Sequence, residues 1–431
     1  MSSSAIIVCM IGIIIAIALG YKFNVNMGVT GMVFAWIVGC LMMGMKVKEV
    51  VALWPNGVVF QLLSITLFFG FACCNGTMQA VADHLLYAVR NQSWMIGIAI
   101  YFIAIVLGAI GCPPPAANAI MAVIGFSIGL PAGLHPVIIA WGVCHGAAIG
   151  ACMPWAASGA VVNSTIAANG FEAEAAGMTW EFFFAYFLIT TIILIVLYFV
   201  FKGHKLQTVN VQKPQPFNDI QKKNLIIIAI VVGLVVIPSM LSKFVKNPTL
   251  GFLASRLDIQ MLSFVGFVVC VLMKLADQRA AIKSVPWNTI ILVGGIGTLM
   301  NVATQAGVVD VISSWLNNSV PEGMMVAFMT LLGGFLSFFS GGINTVFPML
   351  APIVGTTVAG TAIKPITMFI GILLGACYTA LSPFSTGGAI FMSNCQDEKV
   401  RGKLITWQLG LAALGMGFSA VLAAVGVLGI F

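Results

Sequence analysis

Charge is what this chain has least of. Of its 431 residues, 7% are Asp, Glu, Lys or Arg, against roughly 25% in soluble domains. With 60% hydrophobic residues, the shortage excludes a water-facing globular fold and leaves an integral membrane protein. The formal charge of +7 is spread thinly over loops, so it does not form the basic patch that nucleic acid requires. There is no Walker motif, no dinucleotide fingerprint in a strand–helix setting and no cluster of metal-ligating spacing. ATP-driven and enzymatic readings therefore have nothing to stand on. No disulfide framework is evident: several of the ten Cys, such as Cys9, Cys40 and Cys270, sit inside apolar runs and read as small hydrophobes. The first run, Ala5–Leu19, follows an uncharged Met-Ser-Ser-Ser. It lacks the basic start of a signal peptide and reads as a retained helix.

What is present is apolar sequence in runs of about 20 residues, long enough to span a bilayer as helices. In the first half the runs fall at 5–20, 28–46, 56–75, 94–111, 119–130, 134–168 and 179–201, with an amphipathic segment at Thr77–Arg90 that suits the membrane interface. Residues 203–224 are polar and form the one clear linker. The second half repeats the order, with runs at 225–242, 257–276, 288–305, 320–339, 349–360, 365–394 and 404–430 and a mixed segment at Gly307–Asn318. Trp54 and Trp287, Gly76 and Gly307, Asn118 and Asn344, and Pro154 and Pro383 take equivalent places. Their offsets (287−54, 307−76, 344−118, 383−154) are 233, 231, 226 and 229. Spacing this constant implies an internal duplication: a first repeat at 1–202, the linker at 203–224 and a second repeat at 225–431.

Four breaks interrupt the apolar runs. Gly-Cys-Pro-Pro-Pro-Ala-Ala-Asn at 111–118 divides a hairpin at 94–130, and Ser340–Pro348 divides its mate at 320–360. The long runs at 134–168 and 365–394 are interrupted around Pro154–Gly159 and Leu381–Gly388. In hydrocarbon every backbone polar group must be satisfied, so such breaks survive only inside protein or beside a water-filled cavity. If the hairpins are re-entrant, each half crosses five times, and an odd number inverts the second half relative to the first. The expectation is an all-α polytopic protein of two inverted repeats, with about ten crossings and two hairpins. Lys and Arg divide thirteen to six when both termini are placed outside and the linker in the cytoplasm, the arrangement the positive-inside rule favours.

The polar residues at the breaks are the candidate site. The first hairpin tip holds Pro113, Pro114, Pro115, Asn118 and Ala119; the second holds Ser340, Gly341, Gly342, Asn344 and Thr345. The broken helices place Ser158 and Gly159 in one gap, and Ser382, Ser385, Thr386, Gly387 and Gly388 in the other. A helix starting at a break offers open N–H groups and a positive dipole end, which bind anions, while carbonyls at the preceding helix end suit small cations. No Asp, Glu, Lys or Arg falls well inside the spans; Asp83, Asp258, Asp277 and Asp310 lie near span ends. A cation antiporter or proton pump needs an intramembrane carboxylate, whereas an anion site built of amides, hydroxyls and dipoles does not. His145, mid-run about two turns before Pro154, reads either as a core histidine or as a substrate or proton ligand. Gly294-Gly295 and Gly333-Gly334 read as close helix contacts.

This order of helix, amphipathic helix, hairpin with an Asn at its tip and Pro/Ser/Gly-broken helix, all duplicated, resembles the ion transporter superfamily. Within it the divalent anion–sodium symporters carry Ser-Asn-Thr at each tip. Here the second tip keeps Asn344-Thr345 with Ile343 for the Ser, and the first keeps Asn118 between Ala117 and Ala119. Ser382-Pro383-Phe384-Ser385-Thr386-Gly387-Gly388 and the N-terminal half are most similar to the malonate/dicarboxylate carrier branch. The resemblance implies a homodimer with scaffold and transport domains, an elevator movement in the cytoplasmic membrane, and dicarboxylates such as malonate, malate or succinate.

The substrate set expected from both lines is Asn118, Ser158, Asn344, Thr345, Ser385 and Thr386. Candidate ligands for a coupling sodium are Pro114, Ala119, Gly159, Gly341, Gly342, Ser382, Gly387 and Gly388. Sodium coupling, proton coupling and exchange all stay open. The alternatives on the same scaffold are a sodium/proton antiporter, which the missing carboxylate disfavours, and a metalloid-oxyanion exporter.

Overall fold

The computed structural model describes residues 3–23, 25–207, 211–245, 247–338, 342–395 and 397–431. Among them all regular structure is helical. The first half runs through Ser3–Phe23, Met27–Trp36 with a π-helical extension Ile37–Met42, Val47–Ala52, Asn56–Cys74, Thr77–Ala88, Ile96–Ala109, Pro114–Ile124, Pro136–Ala151, Ala157–Ile166 and Ala175–Val200. The second half follows with Asp219–Phe244, Pro248–Arg256, Ile259–Leu272, Gln278–Ser284, Trp287–Gln305, Val308–Ser319, Glu322–Ser337, Phe347–Val358, Pro365–Thr379, Thr386–Asn394 and Glu398–Ala424. Among the described residues five helices are long and apolar enough to cross a membrane unaided, including Asn56–Cys74 and Trp287–Gln305. The two halves of each broken helix are shorter, as division of one span requires. Taken as one span, the bent pair of the second hairpin makes a sixth among the described residues, and the other apolar helices, such as Met27–Met42 and Ile259–Leu272, are shorter.

Several boundaries differ from the hydropathy reading, each for a local reason. The first helix of the second half begins at Asp219, inside the expected linker, because Asn218 and Gln221 form a reciprocal capping box that nucleates the helix in polar sequence. Ser158 and Gly159 belong to the first turn of Ala157–Ile166 rather than to a gap, and Thr386, Gly387 and Gly388 open Thr386–Asn394. Helices start immediately after a Pro-containing turn, so the irregular backbone is only a few residues long. The short helices Val47–Ala52 and Gln278–Ser284 were not foreseen. They are set by polar starts, Lys46 with Glu49 and Asp277, which hydropathy does not register. Pro248–Arg256 has no counterpart in the first half.

The repetition extends to details. Pro55 and Pro286 precede equivalent helices with nearly identical backbone angles (φ −74°, ψ 70° and φ −77°, ψ 67°). Gly76 and Gly307 both adopt left-handed conformations (φ 74° and 90°) ahead of the amphipathic helices, a geometry that costs glycine little. Each hairpin's first arm lies against the first half of its broken helix through glycines without side chains between backbones. A Cβ on Gly150 would overlap the Ile105 carbonyl oxygen, and one on Gly375 the Thr330 carbonyl oxygen. Gly108 faces the Ala147 carbonyl and Gly333 that of Ile372. All of these pairs are related by one offset of 225 (375−150, 330−105, 333−108, 372−147). Close backbone approach through small residues is how helices associate without a hydrophobic driving force between them. The second glycine pair, Gly294-Gly295, works across the halves: Gly295 sits against Gly28 and Gly294 against the Trp54 ring.

Polar contacts identify the two ends of the bundle. At one end Gln221 Nε2 donates to the Gly76 carbonyl (3.5 Å), Asn75 Nδ2 to that of Leu275 (3.3 Å), and the Gln207 N–H to that of Ala132 (2.9 Å). That end therefore gathers the linker and the feet of the first hairpin. At the other, Asn301 Nδ2 donates to the Leu53 carbonyl (2.8 Å) and the Ala362 N–H to Glu322 Oε1 (2.6 Å), which places the feet of the second hairpin there. The arms of the second hairpin, Glu322–Ser337 and Gly342–Val358, are bent by 111° at its break.

Candidate functional site

The four breaks meet at one cavity of about 160 Å³. Pro114 and Asn118 reach it from the first hairpin tip, Ser158 from the first broken helix, Gly342, Asn344 and Thr345 from the second tip, and Gly387 from the second broken helix. Thr66 on Asn56–Cys74 and Pro286 and Thr289 at the start of Trp287–Gln305 close the remaining wall, with His145 and Cys377 behind. Residues from 62 to 387 thus converge at one point, and no Asp, Glu, Lys or Arg lines it among the described residues.

The polar atoms here are not satisfied internally. Asn118 Oδ1, Asn344 Oδ1, Thr345 Oγ1 and His145 Nε2 are buried without a hydrogen-bond partner. A buried polar group left unpaired costs about 1–3 kcal/mol, and these four belong to residues that line one cavity. Amide and hydroxyl oxygens suit a hard cation such as sodium, or the donors of a bound molecule.

Backbone N–H groups contribute unequally. Ala157–Ile166 starts without a side-chain cap, and the N–H groups of Ala157, Ser158 and Gly159 have no acceptor, the ladder beginning with Ala160 N–H to Ala156 O (2.9 Å). Ala157 and Ser158 face the cavity, so this terminus presents open donors and a positive dipole end. The corresponding end of Pro114–Ile124 does not. Pro114 and Pro115 carry no N–H, and those of Ala116 and Ala117 are taken by Pro113 O (2.9 and 3.0 Å). The first tip therefore presents the Asn118 side chain to the cavity rather than the open backbone N–H groups expected of a helix start.

The other expected residues fall elsewhere. Ser385 caps Thr386–Asn394, accepting from Gly388 N–H (3.2 Å) and donating to Ala380 O (2.5 Å) and Ser382 O (2.8 Å). Its hydroxyl is committed to the backbone. Ser382 Oγ accepts from Phe384 N–H (3.2 Å) within the turn. Ala119, Gly159, Ser382 and Gly388 lie outside the cavity lining. Gly159 and Gly388 serve the breaks instead: a Cβ on either would overlap the folded-back carbonyls of Cys152 and Met153 or of Leu381 and Ser382, pairs again related by one offset, 229 (388−159, 381−152, 382−153). Ser340 and Gly341 and the side chain of Thr386 lie outside the described residues.

Three supports were missed. Trp155, inside the first break, donates its indole N–H to the Ala109 carbonyl (2.7 Å) and so satisfies the end of the hairpin arm. Ser337 Oγ donates to the Ala376 carbonyl (2.7 Å) at the second hairpin, and Gln408 Nε2 to that of Gly388 (2.9 Å). A tryptophan and a glutamine in apolar runs are visible signals, but their partners are 46 and 20 residues away and cannot be read from spacing.

Comparison with known proteins bears on the whole arrangement. Residues 1–151 match the family model described as the N-terminus of the dicarboxylate carrier protein MatC. No curated protein matches the chain. Among solved structures, the YdaH transporter of Alcanivorax borkumensis, whose crystal structure is described as having an unusual topology, superposes with a TM-score of 0.59 at 16% identity, over 88% of this chain and 86% of that one. MtrF of Neisseria gonorrhoeae, described within a class of antimetabolite efflux pumps, superposes with a TM-score of 0.50 at 15% identity, over 90% of this chain and 84% of that one. At these identities the likeness is one of fold. The chain is a multi-pass membrane protein with the fold of a membrane transporter.

Proposed function

We propose that this chain is a secondary active transporter that carries small dicarboxylates of the malonate, malate and succinate class across the cytoplasmic membrane by alternating access. The observation that carries the reading is the cavity itself. It is walled by both hairpin tips and both broken helices, free of fixed charge among the described residues, and equipped with open N–H groups at Ala157 and Ser158. Donors of this kind hold a carboxylate at a helix N-terminus. The match of residues 1–151 to a dicarboxylate carrier family supports the same substrate class. If sodium accompanies the substrate, Asn118 Oδ1, Asn344 Oδ1 and Thr345 Oγ1 are the oxygens that would hold it, and it would offset the substrate's charge.

Alternating access of the elevator kind draws support from an asymmetry. The first tip touches the last third of Asn56–Cys74, where a Cβ on Gly111 would overlap Phe69. The second tip shares the cavity with Pro286 and Thr289, before and within the first turn of Trp287–Gln305. Equivalent tips thus meet opposite ends of equivalent helices. Both tips sit toward the linker end, and exchanging the roles of the repeats generates a second state displaced the other way. In this reading Asn56–Cys74 and Trp287–Gln305 belong to a static scaffold that also carries a homodimer contact, and the hairpins with the broken helices move.

Uptake of radiolabelled malonate, malate and succinate into proteoliposomes, driven by a sodium or a proton gradient, tests the proposal. Saturable uptake of one diacid competed by the others is the expected result. Absence of diacid flux in both conditions overturns it and redirects attention to an exporter on the same scaffold.

A further inference from the structure

His145 is fully buried in the middle of Pro136–Ala151. Its Nδ1 lies 2.9 Å from the Tyr186 hydroxyl, and its ring packs edge-on to Trp141 and Tyr378, with centroids 4.1 and 5.3 Å away. These contacts fix the ring and leave Nε2 buried without a partner, in a residue that lines the cavity. A histidine that merely fills a core has both nitrogens satisfied or dispensable; this one has one nitrogen held and the other open. Nor does the fold require a polar group here. At the offset of 225 shared by the flanking glycines, the equivalent position in the second repeat is Ile370, equally buried.

Charge bookkeeping gives the open nitrogen a task. A dianion moved through a low-dielectric cavity needs opposite charge beside it, and no Lys or Arg reaches this cavity among the described residues. The titratable groups beside His145 are Tyr186 from Ala175–Val200, Tyr378 from Pro365–Thr379, Cys377, which lines the same cavity, and Cys144 next to it on its own helix; Tyr101 from Ile96–Ala109 packs on the neighbouring Gly146. All are neutral at ordinary pH, so His145 is the one lining group able to become a cation there.

We propose that His145 binds one carboxylate of the substrate through Nε2 and carries the proton that travels with it, an assignment that rests on the dicarboxylate-carrier reading. On loading, one proton from water adds to the neutral imidazole. Nδ1–H then donates to the Tyr186 oxygen and Nε2–H to the carboxylate, and the nearby anion favours the imidazolium. On release the same proton returns to water with the substrate: the hydronium O–H broken on loading re-forms as the N–H breaks. Tyr186 is a positioning residue, aiming Nε2 without touching the substrate.

The test compares wild-type protein, His145→Gln and Tyr186→Phe in proteoliposomes holding an internal pH dye. Radiolabelled malonate is followed both as net uptake and as malonate–malonate exchange, between about pH 5 and 8. Wild-type vesicles are expected to acidify internally as malonate enters, with a KM that rises at high pH. His145→Gln keeps a neutral donor; it is expected to retain exchange with KM raised at least about tenfold, to lose the acidification and to show a flat pH profile. Tyr186→Phe is expected to keep proton movement while shifting the midpoint of the profile. His145→Gln vesicles that acidify with wild-type stoichiometry and affinity overturn the assignment, as does wild-type malonate uptake without proton movement. Wild-type vesicles that neither take up nor exchange malonate overturn the carrier reading itself and this assignment with it. Should His145→Gln not insert, malonate protection of the wild type against thermal unfolding decides, and protection indifferent to pH counts against the assignment.

Discussion

The thiols of Cys73 and Cys112 lie 3.7 Å apart, one on the last turn of Asn56–Cys74 and the other at the first hairpin tip. They face each other across the boundary at which a moving hairpin would slide along a fixed helix. Oxidation to a disulfide would join the two bodies in the state seen here. Treatment of a Cys74→Ser background with a copper–phenanthroline oxidant is expected to abolish transport, reversibly by reductant, and to leave Cys112→Ala protein unaffected. Full transport by cross-linked protein would mean that the hairpin tip does not move against this helix.

The repeats supply the mirror of that pair. Position 73 corresponds to Thr304 by the offset between Gly76 and Gly307 (231), and position 112 to Phe338 by the offset between Asn118 and Asn344 (226). A Thr304→Cys/Phe338→Cys variant lacking Cys73 is expected to cross-link only in the opposite state. Its cross-linking yield should change when substrate is added, whereas a yield indifferent to substrate and conformation would contradict the exchange of roles between repeats.

The side chains of Asn344 and Asn118 make no hydrogen bond among the described residues, and the Oδ1 of each is buried in a residue that lines the cavity. Removing an amide that pairs with a buried charge costs about 1–3 kcal/mol, equivalent to about 5–150-fold in affinity. Asn344→Ala and Asn118→Ala are expected to raise KM in that range or to abolish uptake while inserting normally. Because an unpaired group disappears with each side chain, neither substitution should lower thermal stability. An unchanged KM in both would remove the tips from the site.

Glycine at the hairpin seams has a different signature. Gly150 and Gly375 bring backbones together where a Cβ would overlap a carbonyl oxygen, whereas Gly177 has open space around it. Overpacking a tight contact costs about 1–3 kcal/mol or more. Gly375→Val and Gly150→Val are therefore expected to fail to yield monodisperse protein in detergent. Gly177→Ala should behave as wild type.

The breaks themselves were legible because Pro and Asn clustered with small residues interrupt the apolar runs and because the chain repeats these clusters at near-constant offsets. What each residue does at a break was less legible. Three consecutive prolines announce the first tip, yet the same prolines remove the N–H groups that a helix start would otherwise offer. Ser158 and Ser385 look alike in sequence, but only the second reaches back to cap its own helix. The His145–Tyr186 pair spans 41 residues and two helices, so no local pattern announces it. Short helices such as Val47–Ala52 escaped because they are set by polar capping, not by an apolar run.

The contrast between the two serines is testable. Ser385 Oγ accepts from Gly388 N–H and is turned from the cavity, so Ser385→Ala loses an N-cap worth about 1 kcal/mol. In a chain of this length that is a fall in Tm of about 1–2 °C, since the shift per kcal/mol shrinks as chains lengthen. Substrate KM should stay close to wild type, because the Gly387 N–H remains in place. Ser158 faces the cavity beside open N–H groups, and Ser158→Ala removes no cap. Its expected effect is the reverse, an unchanged Tm and a KM raised several-fold. Thermal unfolding in detergent and uptake kinetics on the same two variants check both halves. A serine pair that changed in the same way in both measurements would show that the two breaks are used alike, and the N-cap at Ser385 would then not be its decisive role.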